Sequence, residues 1–386
     1  MSVCLYIPLI LAQELQGADI TERAESGDAE AQYLVGQSYK KSQNNLLAVD
    51  WLSRSAKQGY TQAQYELGKM YDQGLGIPEN NRLAAEWYLS AAEAGLASAQ
   101  YRLSEMYSSG KADSADSNDA VSWMRKAAES GLLKAQTRMG DYHFQASDSP
   151  SDLDAAVGWY KKADAQGEVE ATYKLGKILL YSSYLGSSSE RAFEFFLKAA
   201  KAGQVDAQAE VGHCYLHGIG VLKDINEGML WLTKAADQNN AFAQRNMGIL
   251  YFDGRYVDRD YQLAAEFYQR SADQGDSVAQ RNLSSMYRLG QGVEQDDRQA
   301  FILAQKSALQ GYGLAQLNLG YAYRFGEGTA KNLVKAMQWY LLSKAEGQTA
   351  AEFNLRKIVP VLSSEQRAEA RFLADQCLTS NFSDCG

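Results

Sequence analysis

The chain has 386 residues and a net charge of −9, from 38 Lys plus Arg against 47 Asp plus Glu. Hydrophobic residues make up 46% and there are 4 Pro, which excludes a disordered chain and argues against a linker-rich or all-β one. Acidity without a Lys/Arg tract argues against nucleic acid and anionic membranes as partners, and 3 His leave little material for His-based catalysis or a metal centre.

At the N-terminus, Val3 to Ala12 is an uncharged, mostly apolar run. It is too short to cross a bilayer as a helix, but it fits the hydrophobic region of a secretory signal. No Lys or Arg precedes it and no A-x-A site follows, so Ala12 and Ala18 are the candidate cleavage positions. The expectation is a signal peptide within residues 1–22 and a periplasmic or secreted protein. The alternative is an apolar strap on a cytoplasmic one. No later stretch is long and apolar enough to span a membrane.

A repeat then governs the chain over residues 23–352. Gln64, Gln100, Gln136, Gln208, Gln244, Gln280 and Gln316 lie 36 residues apart or a multiple of it, with Thr172 and Glu352 in the same register. Gln32 to Gln64 is shorter, at 32. Trp51, Trp87, Trp123, Trp159, Trp231 and Trp339 keep the 36-residue grid, and Phe195, Phe267 and Leu303 fill its gaps. Nine units run from about Asp28 to about Gly347.

The second unit shows the pattern. Ala63, Leu67, Met70 and Tyr71 share one helical stripe, giving an amphipathic helix A. Gly74-Leu-Gly-Ile-Pro78 breaks it. Ala84, Trp87, Ala91 and Ala92 form the stripe of a second helix, B. Gly95 closes it as a left-handed residue, and the equivalent is Gly in every unit but one, where Asn239 stands. Small Gly68 and its equivalents let helices approach, and Trp87 and its equivalents are expected to fill the space between layers. One pair cannot bury its own apolar face, so neighbours must stack.

These residues resemble the Sel1-like repeat family, a relative of the tetratricopeptide solenoids. The pattern A-Q-x-x-L-G-x-x-Y, a G-x-G loop and K-A-x-x-W-Y-x-K-A-A-x-x-G is matched almost in full at 63–95, 207–239 and 315–347. The resemblance implies an all-α, right-handed superhelical α/α solenoid of about nine 36-residue repeats. It also implies an adaptor that binds a protein or peptide on its concave surface, in a bacterial envelope or outside the cell. Repeats one, three, four and five carry Ser, Asp and Asn at 41–46, 108–118, 145–153 and 182–189 in place of the full loop. His143 and Leu179 replace the Tyr of helix A.

Residues 353–386 are expected to form a C-terminal cap and tail. Ser363 and Gln366 have capping-box spacing ahead of a helix over 364–376. Cys377 and Cys385 are eight apart and would close a disulfide loop if the protein is exported. Cys214 reads as a small buried hydrophobe.

For the binding surface, positions +1, +5 and +8 from each helix-A Gln are expected to face away from the buried stripe. Position +1 holds Tyr33, Tyr65, Tyr101 and Tyr173, then Arg245 and Arg281. Position +8 holds Phe252, Arg288 and Arg324. Tyr and Arg dominate binding hot spots, and the arginines would meet acidic groups of a partner. The bland alternative is that these side chains pack along the stack.

Other chemistries find little support. His213 and His217 have the i, i+4 spacing of two metal ligands, but no further ligand follows nearby, and no metal or cofactor is expected. Gly218-Ile-Gly220 looks phosphate-friendly but lacks a following Lys-Ser/Thr. The resemblance also raises an enzyme or small-ligand binder acting on cell-wall material, as in cysteine-rich, β-lactamase-like relatives. Those carry a Cys pair in each repeat, which this chain lacks, so no enzyme is expected. A cytosolic regulatory adaptor is the third reading. The sequence does not fix the oligomeric state, and a monomer is the expectation.

Overall fold

The alternation of an Ala/Leu/Gly stripe with an aromatic/Ala stripe produces one helix pair after another. The computed structural model describes residues 19–112, 117–146, 149–181 and 188–385. The apolar run Val3 to Ala12, both cleavage positions and parts of the loops at 108–118, 145–153 and 182–189 lie outside the described residues. After α1 (19–25) come nine A/B pairs. They are α2 (Ala29–Lys41) with α3 (Asn45–Lys57), α4 (Thr61–Gln73) with α5 (Asn81–Glu93), α6 (Ala97–Ser108) with α7 (Ser117–Glu129), and α8 (Leu133–Gln145) with α9 (Pro150–Ala165). Then follow α10 (Val169–Tyr181) with α11 (Ser189–Lys201), α12 (Val205–His217) with α13 (Ile225–Asp237), and α14 (Ala241–Asp253) with α15 (Tyr261–Asp273). The last are α16 (Ser277–Leu289) with α17 (Asp297–Ala308) and α18 (Gly313–Phe325) with α19 (Leu333–Ala345). The fold is an all-α solenoid, divided into two compact units, Met1–Ile178 and Leu179–Gly386. In the first unit each helix from α2 to α8 packs on the next in chain order, and in the second each from α11 to α19 does. Among the described residues no helix is long and apolar enough to cross a membrane.

Helix B starts are capped by polar side chains. Asn80, Ser149, Asp224, Asp260, Asp296 and Asn332 each accept a hydrogen bond from a first-turn N–H. Helix B is left through a positive φ, and Asn239 adopts φ 65° where the other repeats have Gly.

The interlayer space belongs to the residue after each Trp, not to the Trp itself. Tyr88, Tyr160, Phe196, Leu52, Leu232 and Tyr340 are fully buried. Trp51, Trp87, Trp123, Trp159 and Trp231 are half-buried, and Trp339 is 3% exposed. One residue rotates a side chain by about 100° around a helix, so the indole lies at the edge of the stripe that its neighbour centres. A cation one turn on covers it: Arg54 over Trp51 at 4.7 Å, Lys126 over Trp123 at 3.8 Å and Lys162 over Trp159 at 4.0 Å. The partner of the buried ring is the helix-A Gly at +4. A Cβ on Gly68 would meet the Tyr88 ring at 2.8 Å, and one on Gly320 would meet Tyr340 at 2.5 Å.

The repeated Gln is a polar staple inside this packing. Its Nε2 donates to the carbonyl eight residues earlier, as Gln100 does to Ala92 at 3.1 Å. In five repeats its Oε1 accepts from a Gln at the end of helix B: Gln58 to Gln32, Gln166 to Gln136, Gln238 to Gln208, Gln274 to Gln244 and Gln310 to Gln280, at 2.7 to 2.9 Å. Repeats two, three and nine have Ala94, Ser130 and Glu346 there, and the Oε1 atoms of Gln64, Gln100 and Gln316 are buried without a partner.

At the C-terminal end, α20 (Thr349–Ile358) and a 3-10 turn (Val359–Val361) lead to α21 (Ser364–Thr379), which packs on α19. Ser363 and Gln366 form a capping box at its start. Cys377 and Cys385 are disulfide-bonded with Cα atoms 4.4 Å apart, and buried Gln338 donates to the Cys385 carbonyl at 2.9 Å.

Candidate functional site

Helix A is buried on two sides, because it packs on its own helix B and on the neighbouring repeat. Position +1 therefore lies in contacts between side chains. Tyr33 is half-buried with its ring 5.2 Å from Tyr60, and Tyr65 is 5.7 Å from Tyr88. Tyr101 is 4% exposed, in a cluster with Ala127, Ala128, Ala135 and Met139. Tyr173 is half-buried with Lys177 over its ring at 5.8 Å. Arg245 pairs with Asp276 at 2.7 Å, on the residue that also caps α16, and Arg281 donates to Asn282 at 2.9 Å. Phe252 packs 5.3 Å from Tyr261.

Positions +2, +5 and +8 carry contacts from one repeat to the next. Position +8 of one repeat reaches +2 of the following one: Lys40 pairs with Glu66, Asp72 with Arg102 at 2.6 Å, and Arg324 donates to Asn354 at 3.1 Å. Arg288 is at the same position facing Asn318, yet it is exposed and makes no such bond. The sequence-picked residues are thus not one cluster. Arg245, Phe252 and Arg281 sit at the seventh and eighth repeats, Arg288 and Arg324 at the eighth and ninth, and the tyrosines in the first unit.

Among the described residues a hollow of about 240 Å³ joins Phe252 and Arg281 beside the intact Gly248–Tyr268 couple, and two larger ones sit where the couple is replaced. In the third repeat Ser104 and Met124 take the places of Gly and the buried ring, and in the eighth Ser284 and Ala304 do. The first hollow, about 570 Å³, is lined by Ser104, Met124, Asp72, Arg102, Glu105 and Arg138, with Tyr101 and Tyr142 among others. The second, about 450 Å³, is lined by Ser284, Ala304, Phe301, Tyr321, Phe325 and Arg288, with Glu327 and Asp297. The missing ring leaves room that the Ser hydroxyl does not fill, since Ser284 Oγ donates to the Ala300 carbonyl at 2.7 Å. Beside the second hollow the +9 positions Leu289 and Phe325 are 54% and 55% exposed. The sequence reading missed Arg138, Lys111 and both replaced couples. The loss of Gly at 104 and 284 within an otherwise regular column was the available signal.

The first hollow is electrostatically tight. Asp72, 5% exposed at its side chain, accepts from Arg102, and the Lys111 amino group lies 3.8 Å away. Burial pushes the Glu105 carboxyl up, but Tyr101, Arg102 and Lys134 outweigh it and hold the group below the ordinary carboxylate range. Asp141 accepts from Tyr160 at 2.7 Å and Lys174 at 2.6 Å.

The other candidate chemistries resolve into packing. The His213 and His217 rings lie 4.4 Å apart, with Phe242 edge-on to His213 at 5.6 Å. Burial first, then His217 and Arg245, push His213 down to about 4. Among the described residues no group of three or more His, Cys, Asp or Glu is placed to hold a metal ion. Cys214 is 1% exposed, and burial and Glu210 push its thiol up to about 12. His143 is half-buried, its Nδ1 3.7 Å from Asp152. A Cβ on Gly220 would lie 1.9 Å from the Ser189 carbonyl oxygen, so backbone of the preceding repeat fills the inside of that loop and leaves no phosphate cradle.

Stacked 36-residue helix pairs with a Gln staple, a Gly–aromatic couple and a left-handed exit from helix B define an α-solenoid repeat protein. The Sel1 repeat matches nine consecutive stretches, 29–60, 61–96, 97–132, 133–168, 169–204, 205–240, 241–276, 277–312 and 313–348, and the chain belongs to the Sel1 repeat family. Among solved structures it is similar to a protective antigen present in uropathogenic Escherichia coli strains, at 27% identity over 96% of both chains with a TM-score of 0.58. It is also similar to a Sel1 repeat protein from Oxalobacter formigenes, at 27% identity over 88% of this chain and 90% of that one, TM-score 0.46. A search of curated proteins returns no match.

Proposed function

We propose that the chain is a non-catalytic scaffold that holds a protein partner on its helix-A face, with the hollow of the eighth and ninth repeats as the docking place. The observation that carries this reading is the hollow itself. Arg288, which has no ion pair or hydrogen bond among the described residues, stands beside aromatic walls and the exposed Leu289 and Phe325. A cation with no internal partner next to exposed aromatic area is the composition of a binding hot spot. Affinity capture from a cell-envelope extract tests it, with the wild-type chain immobilised beside an Arg288→Glu/Phe325→Ser variant. A protein retained by the first and lost by the second supports the reading. Equal retention by both overturns it.

The proposed location is outside the cytoplasm. The disulfide between Cys377 and Cys385 supports it, since such bonds persist in oxidising compartments. So do the apolar run near the N-terminus and the likeness to a protective antigen. Cell fractionation with N-terminal sequencing of the mature chain checks this. A cytoplasmic chain with both thiols free would reject it.

A further inference from the structure

We infer that the hollow of the third and fourth repeats is a second binding site, which takes a carboxylate flanked by an apolar group, presented by a peptide segment of a partner. This site belongs to the first unit and stands independently of the hollow around Arg288.

The argument is one of charge. Three acidic side chains line the hollow, and each is already engaged. Asp72 is held by Arg102 at 2.6 Å and by the Tyr88 hydroxyl at 3.4 Å. Glu105 is held by Arg102 at 2.8 Å and by Lys134 at 3.6 Å. Asp141 is held by Lys174 and by the Tyr160 hydroxyl. Arg138, also lining the hollow, is exposed and has no carboxylate within ion-pair distance among the described residues. Its nearest polar neighbour is the Tyr101 hydroxyl, and Asp141 and Glu105 act on it only through space, beyond ion-pair distance. Lys111 adds a half-exposed amino group, 3.8 Å from an Asp72 carboxylate that Arg102 already satisfies. The lining thus carries three acids and three cations, and Arg138 is the cation among them that holds no carboxylate at ion-pair distance among the described residues.

The rest of the lining selects what accompanies the carboxylate. Met106, Met124 and Tyr142 supply apolar walls, and Tyr142 is 42% exposed. Methionine side chains adapt to irregular apolar shapes. A guanidinium presents a planar fork that matches a carboxylate in two parallel hydrogen bonds. Arg102 cannot serve, because its two terminal nitrogens already hold Asp72 and Glu105. Arg138 is the group that remains.

The test uses the full chain and fluorescence anisotropy with labelled acetyl-Ala-Leu-Glu-Leu-Ala-amide and its Gln counterpart. The wild type is expected to bind the Glu peptide about tenfold more tightly than the Gln peptide, the worth of one charge-assisted contact. Arg138→Gln, at an exposed position, is expected to remove that preference and keep the thermal melt. Arg371→Gln, at an exposed position on α21 that lines neither hollow, is expected to leave the preference intact. No binding, equal binding of both peptides, or an unchanged preference in Arg138→Gln overturns the site. N-acetylglutamate tested as competitor separates the sources. If it displaces the peptide at equal concentration, a free small carboxylate is the ligand and the peptide assignment is overturned.

Discussion

Side chains that look alike in sequence divide by their neighbours one repeat away. Arg245 and Arg288 both read as free cations, yet Arg245 is tied to Asp276 and Arg288 is not, because only the stack brings those distant residues together. The staple glutamines show the same dependence. Where helix B ends in Ala94 or Ser130, the buried Oε1 of Gln64 or Gln100 has no donor. Ala94→Gln and Ser130→Gln should supply it and stabilise the protein by about 0.5–1.5 kcal/mol each, read as a rise in thermal midpoint. No gain in either would show that the amide pairs in the other repeats contribute nothing. His213 gives a pH signature. Its native value of about 4 lies below the ordinary 6.5, so the unfolded chain takes up a proton that the native one refuses. Its contribution is complete above pH 6.5 and declines as pH falls towards 4. In His213→Phe that decline should be absent, and thermal melts between pH 4 and 7 should show a flatter slope than wild type.

At the level of the helix pair, the repeat register was fully legible, down to the one Asn239 that replaces Gly and still adopts positive φ. The exposed face was less so. A stripe at 100° per residue identifies one buried side, but helix A has two, and position +1 falls on the second. That is why Tyr101 lies in the core while Arg138, at +2, reaches the hollow. The same geometry moved the core role from Trp87 to Tyr88. The two larger hollows coincide with the replaced couples, so restoring one should close its hollow. Ser284→Gly with Ala304→Tyr should bury a ring, raise stability by about 1–3 kcal/mol, and abolish capture of any partner held through Arg288. A more stable variant that still captures the partner would detach the hollow from binding.

Across the whole molecule, a repeat array distributes its stability through nearest-neighbour contacts, so damage stays local. The C-terminal tail is held by the disulfide and by Gln338, against the cluster that joins α18, α19 and α21. Cys385→Ser should loosen this end, by about 2–3 kcal/mol from the lost loop closure. Hydrogen exchange should accelerate in α20, α21 and the ninth repeat and stay unchanged in the first unit. Exchange rising evenly along the chain would mean that the array unfolds as one block. Composition stated the acidity and the scarcity of histidine, but that Arg138 is left over is visible only once the pairing of Asp72, Glu105 and Asp141 is known.

The first repeat contains a natural insertion experiment run in reverse. It is four residues shorter than the others, and the deficit falls wholly between its helices: residues 42–44 join α2 to α3, where 74–80 join α4 to α5. The contacts that cross it survive, since Gln58 still reaches Gln32 and Lys40 still reaches Glu66, each 26 residues apart instead of 30. The A-to-B connection of the first repeat therefore tolerates a four-residue deficit without loss of the contacts that span it. The G-x-G connections lie against the backbone of the preceding repeat, so the exposed residues 42–44 of the first repeat are the place where an epitope tag or protease site would report on the protein without disturbing its stack.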